Sequence, residues 1–169
     1  DGVGMKVPEK HQSVIGMSAS ELSIQNSTIF SKIDLSEGSK LTLENVHIEK
    51  FGNNTIHAKD SEVIAKNSTI TGGDLEKDFP PVWLRNVIWE SENCKIELPT
   101  GTGVCLDNNV QFNSDSDRIT SLNAFNSMIR AHQATFSEFL CVYEESFASL
   151  TGETTFLNEN AQTLSLIHI

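Results

Sequence analysis

At 169 residues the chain suits a single domain and is long enough to bury a real core. Twelve basic against 23 acidic residues leave a net charge of −11, which argues against nucleic acid or an anionic membrane surface, since both require clustered Lys and Arg. No apolar run reaches the ~18 residues of a membrane span, so no direct membrane insertion is expected.

The chain begins with a short polar stretch, residues 1–12, containing Pro8 and two glycines, which suits a cap over whatever follows. Asp1 is not a natural start, so the chain reads as an excised or processed segment. From residue 13 onward the sequence repeats itself. Leu22-Ser-Ile-Gln-Asn-Ser-Thr-Ile29, Leu41-Thr-Leu-Glu-Asn-Val-His-Ile48, Val63-Ile-Ala-Lys-Asn-Ser-Thr-Ile70 and Val82-Trp-Leu-Arg-Asn-Val-Ile-Trp89 align without gaps. The first and third residues are apolar, the fifth is Asn, and the eighth is Ile or Trp. Period-two alternation, a break and a second short apolar stretch describe two strands meeting at a tight corner, not a helix. Asn suits the corner because it tolerates the left-handed backbone conformation that a sharp turn uses.

The pattern continues at Val104 to Asn108, at Ile129 with Gln133 on the corner, and weakly at Ser149. Unit starts at 22, 41, 63, 82, 104, 129 and 149 lie 19 to 25 residues apart. A further strand precedes each unit, at Ile15/Met17, Ile33/Leu35, Ile56/Ala58, Ile96/Leu98 and Leu122/Ala124. Three strands per repeat, with each strand pairing to its equivalent above and below, predict an all-β, right-handed parallel β-helix of seven to eight coils over residues 13–169. Trp89 and Phe112 are expected to point inward. A leucine-rich frame and a six-residue period are both absent.

Two stretches interrupt the repeat. Residues 71–81, with Gly-Gly and Pro-Pro, and residues 113–118, Asn-Ser-Asp-Ser-Asp-Arg, read as loops. Asp74, Asp78, Asp115 and Asp117 are oxygen-rich candidates for calcium, although no EF-hand or glycine-rich nonapeptide motif accompanies them. Cys94, Cys105 and Cys141 are odd in number and lack CxxC spacing, so neither zinc nor a disulfide framework is expected, and no cofactor is predicted.

The asparagine between the second and third strands resembles the pectate-lyase-like parallel β-helix superfamily. That resemblance implies a ladder of side-chain amides inside the coil, here Asn26, Asn45, Asn67, Asn86 and Asn108. It also implies that carbohydrate chemistry would lie over the first sheet, where Asp34, His57 and Glu97 are the candidate catalytic residues. Carboxylates two coils apart there would stand ~10 Å from each other, near the upper spacing of an inverting pair. The family's enzyme motifs are absent: no Asp-Asp pair, no Gly-His-Gly, no Arg-x-Lys, and only Arg85, Arg118 and Arg130 as arginines. If the ladder amides are inside, the sequons at Asn26 and Asn67 are accidental, leaving Asn53 as the third match.

Ile64, Trp83 and Ile88, beside Cys105, form an apolar outward patch in the expected register. It is a candidate interface for a protein partner, unless the 71–81 loop covers it with Phe79. At the C-terminus, residues 163–169 alternate like one more strand, which suggests a continuing coil or self-association through strand edges. The expected function is a non-catalytic binding or structural module of a larger surface, spike or scaffold protein, with an extracellular or cell-surface location favoured over a cytoplasmic one. Carbohydrate is a possible ligand. The alternative is a glycoside hydrolase or polysaccharide lyase, or its remnant, working through the first-sheet carboxylates.

Overall fold

The computed structural model describes residues 14–50, 55–72, 80–99 and 102–157. Every strand pairing among them is parallel, and none of these residues is helical. Three faces emerge from the pairing. Sheet I stacks β1 (Val14–Ser18), β3 (Lys32–Ser36), the first parts of β5 (Ile56–Lys66) and β7 (Val82–Glu92), β9 (Val104–Asp107), and the last parts of β11 (Arg118–Phe125) and β13 (Thr135–Tyr143). Sheet II stacks the first parts of β2 (Glu21–Ile29) and β4 (Lys40–Lys50), the second parts of β5 and β7, then β10 (Gln111–Asp115), β12 (Met128–His132) and β14 (Phe147–Thr151). Sheet III stacks the ends of β2 and β4, β6 (Thr69–Gly72), β8 (Lys95–Glu97), the starts of β11 and β13, and β15 (Thr155–Phe156). The chain is therefore a parallel β-solenoid. It makes about six full turns before a seventh, thinly covered level, slightly fewer than the seven to eight coils expected.

Alternation drives one side chain of each pair into the interior. Ile33, Leu35, Leu41, Leu43, Ile56, Val63, Leu84, Val104 and Leu122 are completely buried. Trp89 and Phe112 do point inward, on adjacent coils, with ring centroids 5.7 Å apart and planes 11° from parallel. Ile15, Leu22 and Ile24 in the first coil, and Val142, Ala148 and Leu150 in the seventh, are only partly buried.

The corners differ from the sequence expectation in two ways. First, the asparagines face out. Asn26, Asn45, Asn67 and Asn86 have φ between 47 and 53° and are exposed, and Asn108, at φ 56°, is half-buried. The left-handed conformation is as expected, but it turns the amide outward and the following residue inward. That residue is Val46, Ser68, Val87, Cys94, Val110 or Ser127, after Asn45, Asn67, Asn86, Asn93, Asn109 and Asn126, all buried, whereas Ser27 after Asn26 is half-buried. The ladder inside the coil is therefore partly one of hydroxyls: Ser68 Oγ donates to Lys66 O at 2.7 Å and accepts the Val46 N–H at 3.1 Å, and Ser127 Oγ does the same for Phe125 O and Val110 N. The Asn-Ser-Thr triplets at Asn26 and Asn67 follow from this geometry, with Asn for the turn, Ser for the interior bond and Thr on the outward strand. The amides being exposed, burial does not explain these sequons away.

Second, there are two ladders. Asn26, Asn45, Asn67, Asn93 and Gln133 turn the chain between sheets II and III, whereas Asp60, Asn86, Asn108 and Asn126 turn it between sheets I and II. The strand–corner–strand pattern occurs twice per coil, so the units at Val82 and Val104 match those at Leu22, Leu41 and Val63 in pattern but belong to sheet I. Outer-side bonds join neighbours within each ladder, Asn45 Nδ2 to Asn26 Oδ1 at 3.2 Å and Asn86 Nδ2 to Asp60 Oδ1 at 2.6 Å.

Residues 113–118 are not a loop. Asn113 to Asp115 complete β10, Ser116 is a corner at φ 55°, and Arg118 opens β11. Its run of polar residues belongs to a strand whose alternate positions face water. In the 71–81 stretch, Thr71 and Gly72 finish β6, and the Pro81 carbonyl accepts from Thr55 N and Ile56 N. Residues 73–79, with Asp74, Asp78 and Phe79, lie outside the described residues, as do residues 1–12, Asn53 and residues 163–169.

Candidate functional site

Because equivalent strand positions stack at rung spacing, each outward column brings residues far apart in sequence into contact. On sheet I one column runs Asp34, His57, Trp83, Cys105, Asn123 and Cys141. His57 Nδ1 lies 2.9 Å from Asp34 Oδ1, and its ring stacks on Trp83 with centroids 4.9 Å apart. Lys32 Nζ reaches the other carboxylate oxygen of Asp34 at 2.9 Å. Partial burial pushes the Asp34 carboxyl up, but the hydrogen bond and charge of Lys32, with those of His57, outweigh it and hold the group below its usual value. Both Asp34 oxygens are thus engaged by neighbours.

Glu97, the third catalytic candidate, does not join this column. It stands on β8 in sheet III, rung-paired with Thr71 and bound to Lys95 Nζ at 2.8 Å. Taking Ile96/Leu98 for a first-sheet strand came from counting the unit at Val82 as second-sheet; with that unit on sheet I, Glu97 moves to another face. The carboxylate pair proposed across two coils does not form.

The apolar patch is likewise divided. Trp83 is on sheet I against His57, whereas Ile64 and Ile88 are on sheet II, where Ile88 is 43 % exposed between the rung partners Glu62 and Gln111. Cys105 follows Trp83 in the sheet I column, and burial pushes its thiol up to about 11, which leaves it neutral. Cys105 and Cys141 have Asn123 on the rung between them, and all three cysteines are free.

Sequence reasoning missed a shallow trough of about 530 Å³ over sheet II. Ile64, Glu90, Asn113 and Arg130 line one side, and Lys66, Glu92, Asp115 and His132 the other. The inward residues beneath it are small, Ala65, Ser91, Ser114 and Ala131, so the floor is thin. Lys66 pairs with Glu92 at 3.1 Å, whereas Glu90, Asp115 and Arg130 make no ion pair among the described residues. The signal in the sequence was the outward alternation of these residues, visible only once β7 is known to carry two sheets.

Of the calcium candidates, Asp115 is exposed at the end of β10, while Asp117 is inside the solenoid, 1 % exposed, with its carboxylate hydrogen-bonded to protein donors. The two do not converge, and no group of three His, Cys, Asp or Glu side chains suited to a metal exists among the described residues. A scan of family models finds no match to the chain, and neither curated proteins nor solved structures match it.

Proposed function

We propose that this chain is a non-catalytic binding module, built on a β-helix of the pectate-lyase-like type and working as part of a larger surface or scaffold assembly. The observation that carries the reading is the sheet II trough. It is open and polar, contains carboxylates and a guanidinium with no ion-pair partner among the described residues, and has the exposed apolar Ile88 two residues before its Glu90 on the same strand. An apolar contact beside a polar rim suits a protein partner. Parallel strand edges at the ends of the stack offer a second route, to a further copy or to neighbouring coils. On sheet I, the Asp34 carboxylate is already engaged by Lys32 and His57, which suits a structural pair better than a general acid.

The test compares wild type with an Ile88→Glu, Arg130→Ala double variant of unchanged circular dichroism. Cross-linked partners and immobilised polysaccharides are both offered, and any polysaccharide is checked for cleavage products. Retention of a partner by wild type alone, without cleavage, is the expected result. Cleavage that disappears in Asp34→Asn would replace this reading with a glycoside hydrolase or polysaccharide lyase. Equal retention by both proteins would remove the trough as the binding face.

A further inference from the structure

The outer face of sheet II is self-complementary about its middle strand. β10 lies between β7 and β12, and the registers on its two sides are continuous, so the outward residues of the three strands share three columns. On β7 those residues are Ile88, Glu90 and Glu92; on β12, in the same columns, they are Met128, Arg130 and His132. An apolar side chain on one side of β10 therefore answers an apolar one on the other, and in the remaining columns a carboxylate answers a basic group. Met128 is half-buried and the other five are exposed. Within one chain β7 and β12 are two rungs apart, about 10 Å, and no ion pair joins Glu90 to Arg130.

We infer that the partner of the sheet II trough is a second copy of this chain, docked face to face about a two-fold axis that runs along β10. The inference rests on the trough being the binding face. Such an axis keeps each column in line and lays β7 of one copy on β12 of the other. Glu90 then meets Arg130 of the second copy, Glu92 meets its His132 and Ile88 meets its Met128. Symmetry makes each of these contacts twice, as an isologous interface requires. On the axis, Gln111 and Asn113 meet their own copies, and an amide carries both the donor and the acceptor that such a meeting needs. Asp115 also meets its own copy and is the unfavourable contact in the set. One rung further out, Ile64 faces Ser149, Lys66 faces Thr151, and Glu62, already bound to Lys40 at 2.8 Å, faces the exposed Phe147, so no like charges meet there.

The polarity of the trough favours this occupant. Its carboxylates lie on β7 and β10 and its unpaired guanidinium on β12, so a partner of a single charge sign would match only half of it. A second copy brings the same polarity reversed by the axis. Five rungs of five-residue strands cover about 24 by 17 Å, the range of weak, reversible interfaces. Both chains carry a net charge of −11, so association is strongest where salt screens their mutual repulsion.

Sedimentation velocity over a wide concentration range, at about 0.15 M salt, tests the contact. Wild type should show a reversible monomer–dimer equilibrium. Glu90→Arg and Arg130→Glu should each lose the dimer, because each sets like charges opposite one another twice. The first change lowers the net negative charge and the second raises it, so general repulsion cannot account for both losses. Mixed in equal amounts, the two variants should form a heterodimer, since one then presents two cations to the two carboxylates of the other. The Glu90→Arg, Arg130→Glu double variant should dimerise by itself. Recovery in the mixture also shows that both single variants are folded. A wild type that stays monomeric at every concentration overturns the second copy as partner. The trough as binding face is judged separately, by whether wild type retains some other partner that the Ile88→Glu, Arg130→Ala variant does not. A dimer that survives both single charge reversals, or variants that fail to recover on mixing, would place self-association elsewhere and overturn the inference.

Discussion

Asn67 and Ser68 stand side by side at one corner and carry separable tasks. Asn67 holds φ at 47° with its amide in solvent, so Asn67→Gly should be nearly neutral, and Asn67→Ala should cost about 1 kcal/mol for the left-handed conformation. Ser68→Ala should cost more, roughly 1–3 kcal/mol, because it strands the buried Val46 N–H. Denaturant unfolding of the three variants checks the order; an Asn67→Ala cost exceeding that of Ser68→Ala would return the structural role to the amide. Asp34 offers a pH prediction. Its folded value lies below the unfolded one, so its contribution is present above about pH 4 and is lost as pH falls through the folded value. Asp34→Asn should therefore lower Tm at pH 7 and have a vanishing effect in acid; an equal loss at both pH values would show that the carboxylate's charge is irrelevant.

At the scale of single strands, β7 is decisive. Its first part lies in sheet I, Asn86 turns the chain, and its second part carries Trp89 into the core and Ile88 and Glu90 outward. Trp89 and Phe112 are completely buried and stacked on each other, so Phe112→Ala should cost about 3–5 kcal/mol in a urea melt. A cost under about 1 kcal/mol would mean that neighbouring side chains collapse into the space. Gly103, just before β9, has no room for a side chain: an added Cβ would meet Ser121 O at 2.8 Å. Gly103→Ala should therefore destabilise by roughly 1–3 kcal/mol, and an unchanged melting curve would show that the Ser121 backbone can retreat.

For the whole molecule, stability in a stacked repeat is approximately a sum over neighbouring coils, so the ends should open first. The half-buried interior residues of the first and seventh coils make the same point physically. Hydrogen exchange should find the strongest protection in β5, β7 and β10 and the weakest in β14 and β15. Uniform protection along the chain would indicate a single cooperative unit instead. The net charge of −11 should also make the fold more stable as salt rises from low to physiological levels, as self-repulsion is screened.

The sequence by itself determined the architecture: apolar alternation selects strands, Asn recurring about every 20 residues selects corners, and their combination selects a parallel stack with Trp89 and Phe112 inside. It also determined that Asp34 and His57 share a column, because both lie on strands whose order is unambiguous. Only the tertiary structure decided which sheet each later unit occupies. Local sequence encodes a corner, and the two corners of a coil use the same chemistry, so Val82 and Val104 carry no mark that distinguishes sheet I from sheet II. That ambiguity moved Glu97 to another face, divided Ile64, Trp83 and Ile88, and concealed the sheet II trough. The direction of the corner side chains was likewise settled in three dimensions. A left-handed residue between two strands must send one neighbour inward, and the small Ser, Cys or Val after most of the corner asparagines fits the interior where the amide would not.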